Sequence, residues 1–347
     1  MKLDFLKNKI VLVTGGTGSI GSSLVLKLVK SKCKVIRVMS NDENGLYELS
    51  REISNKFTIN YNLFSSQMKK QKIRFFLGDV RDIKRCHEVT RDVDIVVHAA
   101  AIKHVNISEY NPSDAMQTNL QGTKNMVAAS IKNNVSKFLF ISTDKVVAPT
   151  NIMGKSKLLA EKFIINSKKI IKNKKIKISA IRFGNVIGSR GSVVPNFISL
   201  LRNKKNINVT SKKMARFVMT PDESIDSILK VLEQMNGFEI FIKRSMKCFK
   251  IIDLAEALLT FFRKKGNKTS KIIISQKNIG EKFEEELFLV NEIQKIYMDN
   301  DMFIINKKSN IKQNKNIKSI NKYRVSNFNF MNQQQIIKLL KNSKLLS

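Results

Sequence analysis

The stretch "KIVLVTGGTGSIGSSLVLKLVKSKCKVIRVMS" (9–40) decides the fold. An apolar, β-branched run ends at glycines, apolar residues then recur at helical spacing over 21–32, and a second apolar run closes the stretch. A strand, a glycine turn, a helix and a strand in that order are typical of a βαβ unit. The segment therefore predicts an α/β domain with a ligand-binding turn after its first strand.

The turn itself, "TGGTGSIG" (14–21), has a GxxGxxG spacing. Glycines at such a turn let backbone N–H groups approach a pyrophosphate at the N-terminus of the following helix. Because the turn lies between a predicted strand and a predicted helix, it predicts a dinucleotide site. The candidate residues are Gly15, Thr17, Gly18, Ser19, Ile20 and Gly21.

The alternation continues along the first 185 residues. Further short apolar strands are predicted at 72–80, 93–101, 136–144 and 177–185, with helices at 113–132 and 153–172 between them. Continuously apolar strands separated by helices indicate a parallel sheet covered on both faces. We therefore predict a Rossmann-type, doubly wound α/β fold with a smaller C-terminal substrate-binding region, and ligands at the carboxyl ends of the strands.

The predicted domains are an NAD(P)-binding domain at 1–185, a substrate-binding region at 186–300, and a low-complexity stretch with a C-terminal helix at 301–347. Two stretches, 203–213 and 264–276, are predicted to be linkers. Apolar residues at helical spacing over 251–262 predict an amphipathic helix whose apolar face belongs to the core.

Bulk composition narrows the class of protein. The formal net charge of +35 comes from lysines that are spread along the chain beside asparagine and isoleucine. With 7% aromatic residues and no tryptophan, we expect a basic surface that favours anionic substrates and binds no specific nucleic acid. No apolar run is long enough to span a bilayer, so a cytoplasmic protein without a membrane partner is expected. Three separated cysteines predict reduced, buried thiols and no metal site.

Other predicted strand ends supply the remaining cofactor contacts. Asp79 and Val80 in "GDVRD" are suited to an adenine contact, and Ala99 and Ala100 lie at the end of the strand predicted at 93–101. Ser40 stands where NAD-binding sites usually carry an acid for the ribose 2′-hydroxyl. The missing acid favours NADP, although no arginine follows directly to bind a 2′-phosphate, so NAD stays open.

Five motifs occur in order: "TGGTGSIG", "HAAAIKHVNISEYNP" (98–112), "STDKVVAPTN" (142–151), "RFGNVIGSRGSVVPNF" (182–197) and "GEKFEEEL" (280–287). Together they resemble the UDP-N-acetylglucosamine 4,6-dehydratases, polysaccharide biosynthesis proteins of the extended short-chain dehydrogenase/reductase superfamily. The resemblance covers about residues 8–290, and "YRVSN" (323–327) resembles the family's C-terminal pattern.

The resemblance implies an elimination on a nucleotide sugar. A C4 hydride leaves for the cofactor, a base removes the C5 proton, an acid protonates the departing C6 hydroxyl, and the hydride returns to C6. By resemblance Asp144 is the acid and Lys145 the base. Because the pKa of lysine is ordinarily about 10.4, we expect burial or a nearby cation such as Lys157 to lower the pKa of Lys145.

Met153 occupies the position that carries a tyrosine in most of the superfamily, four residues before Lys157. On a helix the two side chains share a face, but a thioether cannot accept the C4 hydroxyl proton. Thr143 is the nearest candidate acceptor, with Lys157 or a water as alternatives. Similar methionine-containing family members imply an active variant, with Lys157 also holding the nicotinamide ribose.

The resemblance also assigns substrate contacts. Asn185 and Arg216 are expected at the diphosphate, Glu281 at the nucleoside ribose, and Lys103 and His104 at the sugar. The glycine-serine loop 188–195 suits a diphosphate through its backbone, with the candidate contacts Arg190, Ser192 and Val193.

Two residues qualify this assignment. Asn278 replaces an arginine that the family usually has three residues before the glutamate at position 281. His98 ends an apolar strand, where a histidine is more often structural than catalytic.

Three functions remain open from the sequence. The first is a UDP-N-acetylglucosamine 4,6-dehydratase, C5-inverting because short members of the family are commonly so. The second is a nucleotide-sugar 4-epimerase or a C5-retaining dehydratase, and the third a non-catalytic dinucleotide-binding protein. The helices predicted at 113–132 and 153–172 form the usual pairing surface of the superfamily, so a homo-oligomer is expected.

Overall fold

A computed structural model describes residues 3–57, 71–171, 175–276, 280–299, 301–305 and 325–346. The chain divides into two compact units. Unit 1 comprises Met1–Ser142, Ser156–Ile181 and Ile225–Phe241, and unit 2 comprises Thr143–Lys155, Arg182–Ser224 and Ile242–Ser347. The linear domain limits predicted from the sequence stay a prediction.

Unit 1 is built on a mostly parallel sheet. Its strand order is β10-β6-β5-β4-β1-β2-β3, with parallel pairing from β3 through β2, β1 and β4 to β5. The strands are β1 (Ile10–Thr14), β2 (Val35–Ser40), β3 (Ile73–Leu77), β4 (Ile95–His98), β5 (Lys137–Thr143), and β6 (Lys177–Phe183) and β10 (Ile240–Lys243), which begin in this unit. The predicted Rossmann-type sheet is confirmed, and the strand order reverses between β1 and β4, where such folds bind ligands.

The helices lie between the strands in the chain, as predicted. They are α1 (Ser19–Val29), α2 (Glu43–Phe57), α3 (Ile83–Thr90), α4 (Val105–Tyr110), α5 (Pro112–Met116), α6 (Gly122–Lys132), α7 (Ile152–Asn166), α8 (Lys168–Ile171) and α10 (Pro221–Gln234). The helix predicted at 113–132 is α5, a π-helical turn at Gln117–Gln121 and α6 in succession. The helix predicted at 153–172 corresponds to α7 and α8, and position 172 lies outside the described residues.

Burial explains why the strands read as continuous apolar runs. Val11, Leu12 and Val13 of β1 are fully buried, as are Leu24 and Leu28 of α1. A strand of a doubly wound sheet has no solvent-facing side, so both alternating sets of side chains are apolar.

Unit 2 contains smaller sheets and three further helices. β7 (Asn185–Val186), β9 (Ala215–Met219) and β11 (Lys247–Lys250) form a three-stranded sheet, and β13 (Ile296–Asp299) pairs antiparallel with β14 (Met302–Ile305). Its helices are α9 (Val193–Arg202), α11 (Ile251–Lys264) and α12 (Gln333–Asn342).

The prediction that 203–213 and 264–276 are linkers is wrong. Each contains a three-residue strand, β8 (Ile207–Val209) in 203–213 and β12 (Ile272–Ile274) in 264–276, and the two strands pair in parallel. Three-residue strands, Ile-Asn-Val in β8 and Ile-Ile-Ile in β12, are too short to show a strand period. The pairing depends on partners more than sixty positions apart in the printed sequence, which no local pattern reveals.

The apolar face of α11 lies in the core of unit 2, which confirms the prediction for 251–262. Leu254, Ala255 and Leu258 are fully buried and cluster with side chains of α9 and α12. Cys33, Cys86 and Cys248 are free and buried, also as predicted. Within the described ranges, no helix combines the length and the apolarity that a membrane crossing requires.

Candidate active site

The glycine turn of unit 1 has the shape of a dinucleotide cradle. Gly15 has φ +63°, and a Cβ placed there would lie 2.7 Å from the backbone of Ala100. A Cβ on Gly21 would lie 2.2 Å from the carbonyl oxygen of Gly15. Gly18 is the N-cap residue of α1. Only glycines permit this close path, and it leaves the N-terminal N–H groups of α1 for a pyrophosphate.

A cavity of about 400 Å³ opens at this turn. Eight of the predicted cofactor residues line it: Gly15, Thr17, Gly18, Ser40, Asp79, Val80, Ala99 and Ala100. Ser19, Ile20 and Gly21 lie in the first turn of α1 and, like Lys157, are not among the lining residues. The residues that fit a dinucleotide therefore converge on one cavity, as the spacing predicts.

Sequence reasoning missed the polar residues at the β2 and β3 end of this cavity. Asn41, Asp42, Arg81 and Asp114 also line it. Arg81 binds Asp79 through two hydrogen bonds of 2.7 and 2.9 Å and lies 3.3 Å from Asp114. Burial would raise the pKa of Asp79, but the hydrogen bonds from Arg81 outweigh it and lower that pKa. Among the residues that line the cavity, Arg81 is thus the positively charged one. Its guanidinium is already bound by the carboxylates of Asp79 and Asp114.

Asn119, in the π-helical turn, is a second residue that sequence reasoning missed. Its side chain is fully buried, accepts from the N–H of Ile102 at 2.8 Å and donates to the carbonyl of Ile102 at 3.0 Å. It also donates to Ser156 at 2.9 Å. Insertions of this kind are frequent at functional sites, and here the turn fixes the loop after β4, which lines the cavity.

Lys157 is a buried cation in unit 1. Its Nζ donates to the carbonyl of Ile141 at 2.6 Å and lies 4.0 Å from the ring centre of Phe140. Burial lowers the pKa of Lys157 to about 7, although the charge of Glu161 opposes the shift. A substantial fraction of this side chain is therefore a neutral amine near neutral pH, which can accept a proton.

His98 has a structural environment. Its two ring nitrogens bond Thr14 at 2.7 Å and Thr123 at 3.1 Å. Burial, with the charge of Lys157 as a second cause, lowers its pKa to about 3. A histidine that stays neutral and is bonded on both sides agrees with the structural role expected for it.

The predicted acid and base of unit 2 form one hydrogen-bonded pair. Asp144 and Lys145 follow β5 in a 3-10 turn that begins at the N-cap residue Thr143. Lys145 Nζ donates to Asp144 Oδ1 and to Asn185 Oδ1, each at 2.9 Å. Asp144 is 1% exposed, and its Oδ2 has no hydrogen-bond partner among the described residues. A buried carboxylate oxygen with no donor is costly and is poised for an added group.

The pKa of Lys145 differs from the expectation. Burial lowers it, as predicted, but the charges of Asp144 and Glu285 outweigh burial and the opposing charge of Arg216, so the pKa is raised. The prediction of a lowered pKa is therefore wrong for this state of the site. Lys145 is an ammonium at neutral pH, and it must pass its proton on before it can act as a base.

A segment of the "GEKFEEEL" motif is hydrogen-bonded to the loop that follows Lys145. Gly280 accepts hydrogen bonds from Thr150 at 2.7 Å and from the Asn151 amide at 2.9 Å. Lys282 Nζ donates to the carbonyl of Val147. Two motifs that are more than a hundred positions apart in the sequence are thus joined by direct bonds.

Arg216 lies against the same segment. Its guanidinium donates to the carbonyl oxygens of Ala215 at 2.8 Å, Lys282 at 2.9 Å and Phe283 at 3.3 Å. Its Nε lies 3.7 Å from Glu285 Oε1. The structure brings Arg216 and Asn185 to the Lys145 cluster, and their predicted diphosphate contacts stay a prediction.

Met153 and Lys157 lie on α7, one turn apart, and are 4% and 5% exposed. The side chain of Thr143 donates to Asp144 Oδ1 at 3.0 Å and accepts from the Lys145 N–H at 3.3 Å. A Cβ on Gly154 would lie 2.5 Å from the Lys145 carbonyl. The residue after the methionine is therefore a glycine because the start of α7 touches the backbone of the predicted base.

The other predicted substrate residues are spread over three segments. Lys103 and His104 precede α4, where burial, together with the charge of Lys103, lowers the pKa of His104. Arg190 belongs to the loop that ends at Ser192, the N-cap residue of α9, and Val193 is the first residue of that helix. Glu281 follows Gly280 directly. Asn278 lies outside the described residues, as does 323–324 of the "YRVSN" motif.

The fold and the glycine cradle define the class of protein, a Rossmann-type α/β protein of the dinucleotide-binding kind. The sequence profile of a family described as "polysaccharide biosynthesis protein" matches residues 11–307. The chain belongs to this family, and the resemblance found in the sequence is confirmed.

Curated relatives carry several descriptions. A UDP-N-acetylglucosamine 4,6-dehydratase (inverting) of Campylobacter jejuni is 36% identical over 306 residues, covering 85% of this chain and 87% of its own length. A UDP-glucose 4-epimerase of Rickettsia akari is 35% identical, covering 83% of this chain and 80% of its own length. An uncharacterised membrane protein of Methanocaldococcus jannaschii is 39% identical, covering 97% of both chains.

Solved structures show the same fold. Pen from Bacillus thuringiensis has a TM-score of 0.88 at 33% identity and covers 99% of this chain and 100% of its own. A dTDP-glucose 4,6-dehydratase from Streptomyces venezuelae, solved with NAD bound, has a TM-score of 0.65 at 20% identity, covering 78% of this chain and 86% of its own. The chain is thus an extended short-chain dehydrogenase/reductase-type protein in its architecture.

Proposed function

We propose that the protein is a UDP-N-acetylglucosamine 4,6-dehydratase, C5-inverting, that makes a UDP-4-keto-6-deoxy sugar for surface polysaccharide or glycan biosynthesis. The observation that carries the proposal is the Asp144–Lys145 pair, joined at 2.9 Å, in which the Asp144 carboxylate is buried. The inverting dehydratase of Campylobacter jejuni, at 36% identity, supports the substrate and the stereochemistry.

The pair holds the proton that the elimination needs. In the resting state Lys145 is the ammonium and donates to Asp144 Oδ1. Transfer of that one proton along the hydrogen bond produces a neutral amine and a carboxylic acid. The amine of Lys145 then takes the C5 proton, and the acid of Asp144 protonates the C6 hydroxyl as it leaves as water. Return of the hydride to C6 is completed by a proton from solvent, which is added to C5 on the opposite face and so inverts that carbon.

The C4 hydroxyl proton needs a separate acceptor. A relay through Thr143 would deliver it to Asp144, since the Thr143 hydroxyl donates to that carboxylate. With Lys145 still an ammonium, this relay would leave the pair with two protons and no base. Lys157, whose pKa is lowered to about 7, accepts the C4 hydroxyl proton and leaves the number of protons on the Asp144–Lys145 pair unchanged. We therefore assign the C4 proton to Lys157 and an orienting hydrogen bond to Thr143.

The cofactor in this proposal is NADP, as the sequence favours, with NAD as the alternative. A bound nicotinamide supplies the acceptor for the C4 hydride and the donor for C6, so no external reductant is consumed. The glycine turn at residues 14–21 and the α1 N-terminus would hold its pyrophosphate, and Ser40, bonded to Thr17 at 2.8 Å, lies at the ribose end.

Substrate recognition is assigned by the same proposal. Asn185, Arg190 and the Ser192–Val193 backbone would hold the diphosphate, with Arg216 behind them. Glu281 would contact the nucleoside ribose, and Lys103 and His104 the sugar. A homo-oligomer and a cytoplasmic location remain expectations from the sequence.

A UDP-glucose 4-epimerase is the competing function, because a relative of similar identity carries that description. Epimerisation at C4 removes and returns a hydride at one carbon and needs a proton carrier for the C4 hydroxyl. It needs no acid for C6 and no base for C5. The hydrogen-bonded pair of Asp144 and Lys145 would have no task in such a reaction, which favours the dehydratase.

One experiment tests these functions. The purified protein is mixed with UDP-N-acetylglucosamine in D2O and the sugar is followed by NMR. A 4-keto-6-deoxy product with deuterium at an inverted C5 is the expected result. A retained C5 would overturn the inverting assignment, a 4-epimer alone would establish the epimerase, and an unchanged sugar would favour a non-catalytic dinucleotide-binding protein.

A further inference from the structure

Glu285 belongs to the Lys145 cluster although no motif singles it out. Its Oε1 lies 3.5 Å from Lys145 Nζ, and the residue is 2% exposed. The ammonium therefore lies within reach of two buried carboxylates, Asp144 and Glu285, and of the Asn185 amide oxygen. Among the residues that the structure describes, the further charged group at the cluster is Arg216, 3.7 Å from Glu285.

A purely structural role does not account for this carboxylate. Arg216 donates to three carbonyl oxygens, so its position is fixed without Glu285, and at 3.7 Å Glu285 is a charge partner of Arg216 and not its hydrogen-bond acceptor. The second oxygen, Glu285 Oε2, is buried and has no hydrogen-bond partner in the part of the chain that the structure describes. A buried carboxylate that is only half-bonded costs stability. Its position beside Lys145 points to a role in the reaction.

We propose that Glu285 is a positioning residue for the base, holding Lys145 Nζ in place and keeping the Asp144–Lys145 pair loaded with one proton. This inference rests on the proposed dehydratase function. A negative charge beside the pair raises its affinity for protons, so the pair keeps its proton over the working pH range. Both protonation limits of the active form then belong to the pair as a whole.

The segment that carries Glu285 also holds the neighbouring loop. Gly280 and Lys282 bond residues 147–151, directly after Lys145. The hydrogen bonds from this segment fix the position of the loop. The Glu285 carboxylate instead contacts the side chain of Lys145, the proposed base. Removal of the charge with the shape preserved therefore separates the two contributions.

The test compares Glu285→Gln with Glu284→Gln, the same substitution at the preceding residue, whose carboxylate bonds Ser326 at 2.8 Å. We expect Glu285→Gln to lower kcat at least about tenfold and to move both limbs of the kcat/KM–pH profile to lower pH by about one unit. Reduced nicotinamide should accumulate in the near-ultraviolet on mixing with substrate, because oxidation at C4 continues while elimination is slowed. Glu284→Gln should match the wild type.

Glu285→Asp keeps the negative charge but shortens the side chain by one methylene, so the charge lies farther from Lys145. This variant tests the inference if Glu285→Gln does not fold. It should keep the pH limits and lose part of kcat. A wild-type pH profile and kcat in Glu285→Gln, or a wild-type kcat in Glu285→Asp, would overturn the inference alone. A wild-type protein that forms no 4-keto product would overturn the proposed function, and the inference with it.

Discussion

Eight consecutive residues, 14–21, form the glycine cradle of unit 1, whereas the cluster around Lys145 in unit 2 combines side chains at positions 144, 145, 185, 216 and 285. The cradle is defined by backbone geometry. A Cβ on Gly18 or Gly21 would approach the carbonyl oxygen of Gly15, and a Cβ on Gly15 would approach the backbone of Ala100. The cluster is defined by charges that only the tertiary fold brings together. We therefore expect substitutions in distant segments to disturb the second kind of site more than the first.

The sharpest separation of the two regions comes from Lys145→Ala. Loss of the base should lower kcat by about 10²–10⁴-fold, while cofactor affinity stays at the wild-type value because every residue of the cavity lining belongs to unit 1. Steady-state kinetics and cofactor titration measure the two effects. Lys155→Ala, at an exposed position of α7, is the matched control. A large loss of cofactor affinity in Lys145→Ala would contradict the separation.

Gly21→Ala should have the reverse effect. Its Cβ would lie 2.2 Å from the Gly15 carbonyl oxygen, so the turn must open and cofactor affinity should fall at least about tenfold, or 1.4 kcal/mol. Calorimetric titration with the dinucleotide measures this loss, and Ser22→Ala at the next position of α1 serves as the control. Unchanged affinity would show that the cradle does not hold the pyrophosphate.

The two regions also differ in how far the sequence predicts them. Glycine spacing, strand period and helix period are local signals, and they suffice to predict that Gly15, Gly18, Asp79 and Ala100 serve one cofactor site, which is the cavity that these residues line. The role of Asn119 was not predicted because it depends on a π-helical turn. Such a turn interrupts a helix without changing the amino-acid composition that marks the helix in the sequence.

The acid–base cluster was predictable only through resemblance. No periodic pattern marks Asp144 and Lys145, and Glu285 stands in a run of three glutamates, of which only the fold shows the one that faces Lys145. The pKa of Lys145 was predicted to be lowered, but the charge of Asp144 and then that of Glu285 raise it, and no local pattern shows that Glu285 lies beside Lys145. The short strands β8 and β12 were missed because each needs its partner to exist.

Gly154→Ala tests whether backbone packing sets the geometry of the cluster. The new Cβ would lie 2.5 Å from the Lys145 carbonyl, so the loop must shift and kcat should fall about 10- to 100-fold through misplacement of the base. Steady-state assays measure the fall, and the cofactor affinity should be retained. Wild-type kcat would mean that the start of α7 yields without moving Lys145.

Lys157→Met should stabilise the protein while it abolishes turnover. The folded-state pKa of Lys157, about 7, lies below its unfolded value, so the unfolded state binds more protons between the two values and burial of Lys157 is most costly at low pH. The gain in Tm should therefore be larger at pH 7 than at pH 10. Thermal unfolding at both pH values measures it, with Lys155→Met as the control. An equal gain at both pH values would contradict a depressed pKa.

The smallest expected effect concerns the ribose end of the cradle. Arg81 is the cation of the cavity lining and is bound to Asp79 and Asp114, so a 2′-phosphate would have to compete with two carboxylates. Asn41→Arg adds a guanidinium beside Ser40, which suits a phosphate, and should raise the preference for NADP over NAD by about tenfold, or 1.4 kcal/mol. Asn41→Gln, of similar length without the charge, should leave the ratio of the two dissociation constants unchanged. If Asn41→Arg also leaves that ratio unchanged, residue 41 does not face the 2′ position, and the choice of cofactor lies with Ser40 and Arg81 instead.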